Sequence, residues 1–492
     1  MDIQFELLDL LLVSPVLVLF LASIIPLTMK VLSGNRETNT FSTFACGLGG
    51  VIAATFLTAA NYGIQKTAFQ EALRFDGLSF WIQMTVLLVA GATLIFSKES
   101  SATNNNQFSE FVFLLLNSAI GMMVVVWAND LMTLFIGIEL MSLCLYILIA
   151  LSSEERLSKE AAFKYFVLGS FASAIMLYGV SFIYGTVNAT TIPEITKLAP
   201  DLMETNRLFL MGVILTMLGL FFKVSIFPFH AWTPDVYQGA ATPLTAFMST
   251  GVKAVSLAFI LRFFTMDILL SEHSTPLMNA VEWLAALTIL VGNIAAIMQT
   301  NFKRMLAYSS VAHSGYVLIG LLAAGVGGEA LLGASGVVFY VISYAIMTLG
   351  AFGVIGLFET NEDSMIDIDD LKGLAQRSPW VAACISLFML SLAGIPPTVG
   401  FFGKFFIFSA AIKQGFVWLA IWGVIGSVIS VYFYLRPIVL MYMYDEEGAT
   451  VISSKVLTQM AITIAALLIL ALGIFSEPLY KAVLANMGSL FL

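Results

Sequence analysis

Long apolar runs recur along the whole chain, and they constrain its fold more than any other feature. A helix needs about 20 apolar residues to cross a bilayer, and only helices and closed barrels satisfy their backbone polar groups there. The runs are continuous, whereas barrel strands would alternate apolar and polar residues. We therefore predict an all-α polytopic membrane protein with about fourteen transmembrane helices. Their predicted positions are 8–29, 40–61, 76–97, 109–128, 131–151, 162–186, 207–229, 243–264, 279–299, 304–325, 331–357, 379–412, 416–442 and 455–475.

The charge content excludes most other classes of protein. Of 492 residues, 59% are hydrophobic and 11% are charged, whereas soluble chains are about 25% charged. A net charge of −9 offers no basic surface for nucleic acid. The three cysteines are far apart and the chain has only three histidines. We therefore expect no disulfide, zinc site, iron–sulfur cluster or haem.

Lys and Arg in the loops predict the orientation, because cytoplasmic loops carry more of these residues. Twelve follow odd-numbered predicted helices and seven follow even-numbered ones. The bias predicts that both termini lie outside and that the 3–4, 5–6, 9–10 and 11–12 loops are cytoplasmic. Lys303 and Arg262 are counted among these loop residues. The acidic residues between Glu359 and Asp370 are expected to be solvated.

Four ionisable side chains interrupt the apolar runs: Lys223, Lys253, Lys404 and Glu139. Each such side chain near the bilayer centre costs at least about 2.5–3.5 kcal/mol unless it pairs, faces the protein interior or contacts water. A single lysine of this kind is equally well explained as a structural ion pair or as a side chain that extends to the interface. Four of them near mid-helix positions favour a pathway for protons or ions.

Two of the predicted helices are expected to be broken. Pro228, Pro234 and Pro243 interrupt the segment that begins in the seventh helix and continues to the eighth, and the twelfth contains Pro396 and Pro397 among several glycines. Proline removes a backbone donor and clashes with the preceding turn. Broken helices are tolerated at membrane depth where they line a cavity or are buried in protein. The lysine precedes the break in one helix and follows it in the other, which is typical of inverted repeats around a mid-membrane site.

Four segments carry a family resemblance: KVSIFPFHAWTPDVYQGAATPLTAF, EAAFKYFVLGSFASAIMLYG, TNFKRMLAYSSVAHSGY and LSLAGIPPTVGFFGKF. They closely resemble the antiporter-like membrane subunits of respiratory complex I, the proton-pumping NADH–quinone oxidoreductase, over residues 76–442. The chain looks most like the bacterial N-type subunit. Two features carry this resemblance: the second segment, and the fourteen helices without a long C-terminal lateral helix. The resemblance implies two five-helix repeats, helices 4–8 and 9–13, related by inversion. The expected parts of one transmembrane domain, 1–492, are 1–108, 109–264, 279–442 and 443–492.

The resemblance also implies roles for five side chains. Glu139 and Lys223 match the fifth-helix glutamate and seventh-helix lysine, which are expected to form an ion pair. Lys253 matches the eighth-helix lysine, and His313 a tenth-helix histidine between it and Lys404. The twelfth-helix position is lysine in N-type and glutamate in M-type subunits, so Lys404 favours the N type. A proton would pass from Lys223 through Lys253 and His313 towards Lys404 and leave on the outside.

Three further residues are weaker candidates for a proton channel. His230 lies beside the break of the seventh helix, where a capping role is equally compatible with the sequence. Lys164 opens the sixth helix after a basic loop, and anchoring on the cytoplasmic side is its simpler role. Asp235 lies in the broken segment, where satisfying free backbone donors is its simpler role.

The resemblance implies that redox chemistry takes place elsewhere. Flavin, NADH, iron–sulfur clusters and quinone are expected in other subunits, and no cofactor or metal is expected in this chain. The expected partners are the lipid bilayer, subunits M and K of the same complex and the lateral helix of subunit L. The expected location is the bacterial inner membrane, with both termini on the periplasmic side.

Three alternatives remain open from the sequence. The chain could be a large subunit of a multisubunit cation/proton antiporter, which shares the same ancestral core. It could belong to a ferredoxin-linked relative of complex I or to a membrane-bound hydrogenase. It could also be a structural membrane spacer, in which case Lys223→Ala would leave pumping intact.

Overall fold

The fold is known from a computed structural model, which describes residues 7–33, 39–100, 107–151, 156–265, 275–325, 329–359, 366–445 and 455–491. Within these ranges, thirteen helices are long and apolar enough to cross a membrane. Two shorter helices, α12a and α12b, share the remaining predicted span. The prediction of an all-α polytopic membrane protein is thereby confirmed.

The transmembrane helices follow the chain in order, with the seventh and twelfth each in two parts. Their bounds are α1 Ser14–Ser33, α2 Thr40–Ala60, α3 Gly77–Lys98, α4 Phe108–Trp127, α5 Leu131–Leu151, α6 Arg156–Val187, α7a Arg207–Val224, α7b Trp232–Gly239, α8 in three pieces (Thr242–Phe247, a π turn Met248–Val252, and Lys253–Thr265), α9 Thr275–Ile297, α10 Phe302–Ala324, α11 Ala330–Ile355, α12a Pro379–Ala393, α12b Val399–Lys413, α13 Val417–Met443 and α14 Val456–Ile474.

Several short elements lie outside the spans. Strands β1, Lys66–Ala68, and β2, Leu73–Phe75, form an antiparallel hairpin before α3. Helices Ile192–Thr205 and Ser476–Met487 lie before α7a and after α14. None of these four elements was predicted, because the search of the sequence was for long apolar runs.

The two helix breaks have the same local geometry. α7a ends at Ser225 and α12a ends at Gly394, and both residues adopt a left-handed conformation, with φ of 62° and 85°. In each break the following isoleucine donates its N–H to a carbonyl five residues back, the bond of a Schellman cap. A cis X–Pro bond follows both caps, at Phe227–Pro228 and at Pro396–Pro397. Both helices are therefore broken as predicted, whereas the inverted relation of the repeats and the internal boundaries stay predictions.

The centre of the molecule is formed by α8, α10 and α11, which the other helices enclose almost completely. Close approach of neighbouring helices depends on small residues, as is common in membranes. A Cβ atom built on Gly121 of α4 would lie 2.5 Å from the Met141 backbone nitrogen of α5 and 2.9 Å from the Gly137 oxygen. The backbone of α5, which carries Glu139, is therefore fixed by direct contact with α4.

Several residues assigned to loops are buried, among them Arg262, Lys303 and Glu359, and this part of the prediction is wrong. Arg262 pairs with Asp76 at 2.9 Å, and Lys303 pairs with Glu359 at 2.6 Å. All four side chains are at most 2% exposed. A charged side chain near a helix end can be buried beneath the neighbouring helices when an oppositely charged side chain pairs with it there. The linear sequence does not show which residue that partner is. Asp369, also in the acidic stretch, is exposed as expected, whereas Glu362 and Asp363 lie outside the described residues.

Candidate functional site

The structure buries the basic candidates in the interior. Lys223, Lys253, His313 and Lys404 are each at most 5% exposed, and Glu139 is half-buried. They lie on α7a, α8, α10, α12b and α5 respectively. None of the three lysines has a carboxylate within 4 Å in the described part of the chain, although buried lysines are normally paired.

Lys223 is held by a hydroxyl group. Its Nζ donates to Ser142 Oγ at 2.8 Å, and the rings of Tyr146 and Tyr165 lie about 6 Å away. Ser142 follows Glu139 by three residues, on the same face of α5. The expected ion pair is therefore not a direct contact in this structure. Glu139 Oε1 is buried and accepts no hydrogen bond from any described residue.

Lys253 is connected to the first helix break. Its Nζ donates to the Ser310 carbonyl oxygen at 2.7 Å and to Ser314 Oγ at 3.1 Å. Ser314 in turn donates to the Val224 carbonyl oxygen at 2.7 Å. That carbonyl would normally bond the N–H four residues later, which is the missing N–H of Pro228. The break thus frees an oxygen of α7a that joins the hydrogen-bond network of Lys253.

His313 lies between two phenols. Its Nδ1 shares a 2.5 Å hydrogen bond with Tyr340, and its Nε2 shares one of 2.9 Å with Tyr434. Tyr434 also bonds Ser309. A void of about 10 Å³ is lined by both His313 and Lys253, which is close to the space that one water molecule needs. One water there would place the lysine and the histidine on the same hydrogen-bond chain.

Lys404 is connected to the second break. Its Nζ donates to the carbonyl oxygens of Leu392 and Ala393 at 3.1 and 2.9 Å and to Ser427 Oγ at 2.9 Å. These two carbonyls would normally bond the N–H groups that Pro396 and Pro397 lack. The ammonium of Lys404 therefore takes the place of the two missing backbone donors.

The space around Lys404 extends in two directions. Its Nζ lies 4.9 Å from the centre of the Tyr316 ring, and that ring meets His313 edge-on at 5.7 Å. A cavity of about 520 Å³ runs between α12b and α13, from Gly394 past Lys404 and Ser427 to Lys413. Lys404 thus lies near the histidine on one side, and on the other it borders a mainly apolar cavity that extends to the end of α12b that is predicted to be outside.

The weaker candidates lie at the predicted cytoplasmic side. Lys164 Nζ and Arg304 Nη1 both donate to the Asp235 carboxylate, at 2.9 and 2.6 Å. The simpler role assigned to Asp235 is wrong, since its carboxylate bonds side chains and not free backbone donors. The Lys164 ammonium is held by Asp235 and by Glu160 at 2.8 Å. His230 is half-buried beside the break and 6.5 Å from the ring of Tyr308, and its Nδ1 has no partner among the described residues.

Sequence reasoning missed the neutral groups that hold the charged ones. Ser142, Ser314, Tyr340 and Tyr434 are common residue types, and nothing in their local sequence marks them. Helical spacing is the signal that could have found two of them: Ser142 is three residues from Glu139, and Ser314 is four residues from Ser310. The phenols come from α11 and α13, whose approach to His313 depends on the tertiary fold.

Comparison with known proteins places the chain in a family. The family model described as "NADH:quinone oxidoreductase/Mrp antiporter, TM" matches residues 128–430. A relative from Bdellovibrio bacteriovorus, named NADH-quinone oxidoreductase subunit N, is 52% identical over 98% of this chain and 99% of its own length. The chain belongs to the subunit N family. A second subunit N, from Trichlorobacter lovleyi, is 40% identical over 81% of this chain and 80% of its own.

Solved structures support the same fold for this subunit N family member. A chain of respiratory complex I from Thermus thermophilus with bound aureothin is 30% identical, with a TM-score of 0.81, and the match covers 96% of this chain and 100% of that one. A chain of the Mrp complex from Dietzia has the same TM-score at 19% identity, covering 99% and 98%. The second likeness shows the fold alone.

Proposed function

We propose that this chain is the proton-translocating subunit N of the membrane arm of an NADH-quinone oxidoreductase. The names of the relatives support the complex, and the buried lysines support proton movement. The observation that carries the proposal is that three buried lysines contact neutral oxygens and no carboxylate of the described residues. Ionisable groups inside a membrane protein mark ion or proton pathways by default. A lysine with neutral partners can lose its proton without leaving a carboxylate unpaired.

The first step we infer is an exchange of partners at Lys223. Ser142 now accepts from its ammonium, while the nearby carboxylate of Glu139 has an oxygen without a partner. Moving Lys223 from the hydroxyl to the carboxylate would strengthen its hold on the proton, and moving it back would weaken that hold. A change of one pKa unit corresponds to about 1.4 kcal/mol. Small movements of α5 against α7a are therefore enough to load or release the site.

The later steps use the contacts of the central helices. A proton released by Lys223 would reach Lys253 through water between α7a and α8, pass to His313 through one further water, and reach Lys404 beside Tyr316. Imidazole suits the middle position because one ring nitrogen can accept a proton while the other donates. We propose that Lys404 releases it towards the outside, along the cavity between α12b and α13.

The surroundings of the chain belong to the same proposal. Redox centres and quinone would lie in other subunits of the complex, and reduction of quinone there would drive the cycle. The neighbours proposed are subunits M and K and the lateral helix of subunit L. The proposed location is the bacterial inner membrane, with both termini on the periplasmic side.

The test is Lys223→Ala in the whole complex in membrane vesicles. Proton pumping driven by NADH should be lost, and electron transfer to quinone should fall with it if the two are tightly coupled. Lys481→Ala is the matched control, since Lys481 is an exposed lysine outside the spans, paired with Glu477. Co-purification of the flavin- and iron–sulfur-containing arm in mild detergent checks assembly, because an abandoned Glu139 also threatens the fold.

Two outcomes would contradict the proposal. Normal pumping by an assembled Lys223→Ala complex would favour a structural spacer. A wild-type chain that never purifies with a flavin- and iron–sulfur-containing arm would favour a cation/proton antiporter.

A further inference from the structure

We propose that the buried Lys303–Glu359 pair is a proton-uptake site that supplies Lys253 from the predicted cytoplasmic side. This inference rests on the proposed function and adds a source of protons to it. Lys303 lies at the start of α10 and Glu359 lies just after α11, and their 2.6 Å contact is almost completely buried. It is a carboxylate–ammonium pair outside the set of five relay residues.

The pair is joined directly to the helix that carries Lys253. The Thr242 hydroxyl, at the first residue of α8, donates to Glu359 Oε1. Lys303 Nζ also donates to the Ala240 carbonyl oxygen at 3.4 Å, in the connection between α7b and α8. Glu359 therefore lies at the N-terminus of α8, where the helix dipole favours a carboxylate.

Hydroxyl groups line α8 between this carboxylate and Lys253. Thr242, Thr245, Ser249 and Lys253 follow at intervals of three, four and four residues, so they share one face of the helix. The distance from the first to the last is about 16 Å at 1.5 Å per residue.

The facing surface of α11 completes the route. Tyr344 donates to Ser310 Oγ at 2.8 Å, and the Ser310 carbonyl oxygen accepts from Lys253. Thr348 lies one turn further towards Glu359, and its buried hydroxyl faces Tyr344. Buried hydroxyls of this kind are the groups that ordered waters bridge. The route thus ends on Ser310, whose carbonyl oxygen already accepts a hydrogen bond from the Lys253 ammonium.

The outer end of the route is close to the surface. Arg304, the neighbour of Lys303, pairs with Asp235, which is about one third exposed. Asp235 lines a pocket of about 80 Å³ with Lys164 and Glu160. Lys455, whose Nζ donates to the Gly356 carbonyl oxygen at 2.7 Å, is the other cation on this side of Glu359. Partly exposed carboxylates on the same side of the molecule as the buried pair are suited to collecting protons.

The experiment measures proton pumping by the assembled complex in membrane vesicles. It compares a variant that loses both charges of the pair with a variant that keeps a titratable carboxylate. Lys303→Met with Glu359→Gln removes both charges together, so no buried charge is left unpaired and the complex should assemble. Pumping should nevertheless slow by about 100-fold, the lower end of what a positioned proton-transfer group contributes. Glu359→Asp keeps a titratable carboxylate and should retain most of the pumping. Lys30→Met with Glu110→Gln removes another ion pair of 2.6 Å, remote from the route, and should pump normally.

Two results overturn the inference: an assembled double variant that pumps at the wild-type rate, or a double variant that fails to assemble, since the pair then serves the fold. Lys253→Met, measured in the same assay, separates a failure of this inference from a failure of the proposed function. If Lys253→Met pumps normally, the proposed function itself fails. If Lys253→Met stops pumping while the double variant pumps normally, only the uptake site is wrong.

Discussion

Lys404 satisfies two backbone carbonyls in this structure and is proposed to relay protons, and two substitutions separate these two roles. As a cation it satisfies the carbonyls of Leu392 and Ala393, which Pro396 and Pro397 leave without donors. As a relay residue it must also give up its proton. Lys404→Arg keeps the charge and the donors but cannot deprotonate in a protein. Lys404→Met removes the charge, the donors and the titratable group together.

The effect of Lys404→Met on stability is expected to be small. The Leu392 carbonyl loses its partner, which costs about 1–3 kcal/mol, and the end of α12a loses a cation worth about 0.3–1 kcal/mol. Ala393 keeps its hydrogen bond from Ser427 at 3.2 Å. The substitution also removes an ammonium whose place in the membrane costs about 2.5–3.5 kcal/mol. These terms nearly cancel, so the free energy of unfolding should change by less than about 2 kcal/mol.

Lys404→Arg should fit with little strain, because the cavity of about 520 Å³ beside the lysine has room for the guanidinium. Both variants should therefore assemble and melt close to the wild type, as measured by thermal unfolding of the purified complex. Both should fail to pump protons in membrane vesicles. Pumping by Lys404→Arg at the wild-type rate would refute the reasoning, since a permanently charged side chain would then suffice. A large loss of thermal stability in Lys404→Met alone would show that capping dominates.

Two further predictions follow from close contacts in the fold. Gly121→Ala places a methyl group 2.5 Å from the backbone of α5, so it should destabilise the complex by about 1–3 kcal/mol and slow pumping by displacing Glu139. Gly49→Ala, which meets no atom within 4 Å, is the control, and equal melting temperatures would contradict the prediction. Arg262→Leu leaves Asp76 buried without its main partner, so it should lower the free energy of unfolding by about 3 kcal/mol, which is measured as a lower melting temperature. Arg262→Leu combined with Asp76→Asn should recover part of the lost stability.

The sequence was sufficient for the membrane spans and for the two breaks. Apolar runs and prolines act locally, so their consequences can be read without knowing the neighbours. The hairpin formed by β1 and β2 was missed because its strands have only three residues each. Lys303 and Glu359 were assigned to solvent because they lie near the ends of predicted helices. Their burial depends on where α8 begins, which only the tertiary structure shows.

The charged residues of the candidate site could be predicted from the sequence, but their contacts could not. A lysine within an apolar run stands out by its cost alone, so Lys223, Lys253 and Lys404 were found. Their partners are serines and backbone carbonyls, which occur throughout the chain. The ion pair of Lys223 with Glu139, implied by the resemblance, is replaced here by a bond to Ser142. Family likeness indicates which residues belong to the site, whereas their contacts in one state depend on local geometry.

The helix breaks and the buried lysines are parts of one arrangement. Each proline that breaks a helix leaves a carbonyl without a donor, and in both breaks such carbonyls enter the hydrogen-bond network of a lysine: Val224 through Ser314, and Leu392 directly. These oxygens are neutral, so they stabilise an ammonium while leaving no charge behind when it becomes an amine. Arg262, whose partner is a carboxylate and which never deprotonates, is suited to holding the fold. Proline at mid-membrane therefore supplies the polar, uncharged surroundings in which a lysine can change its protonation state.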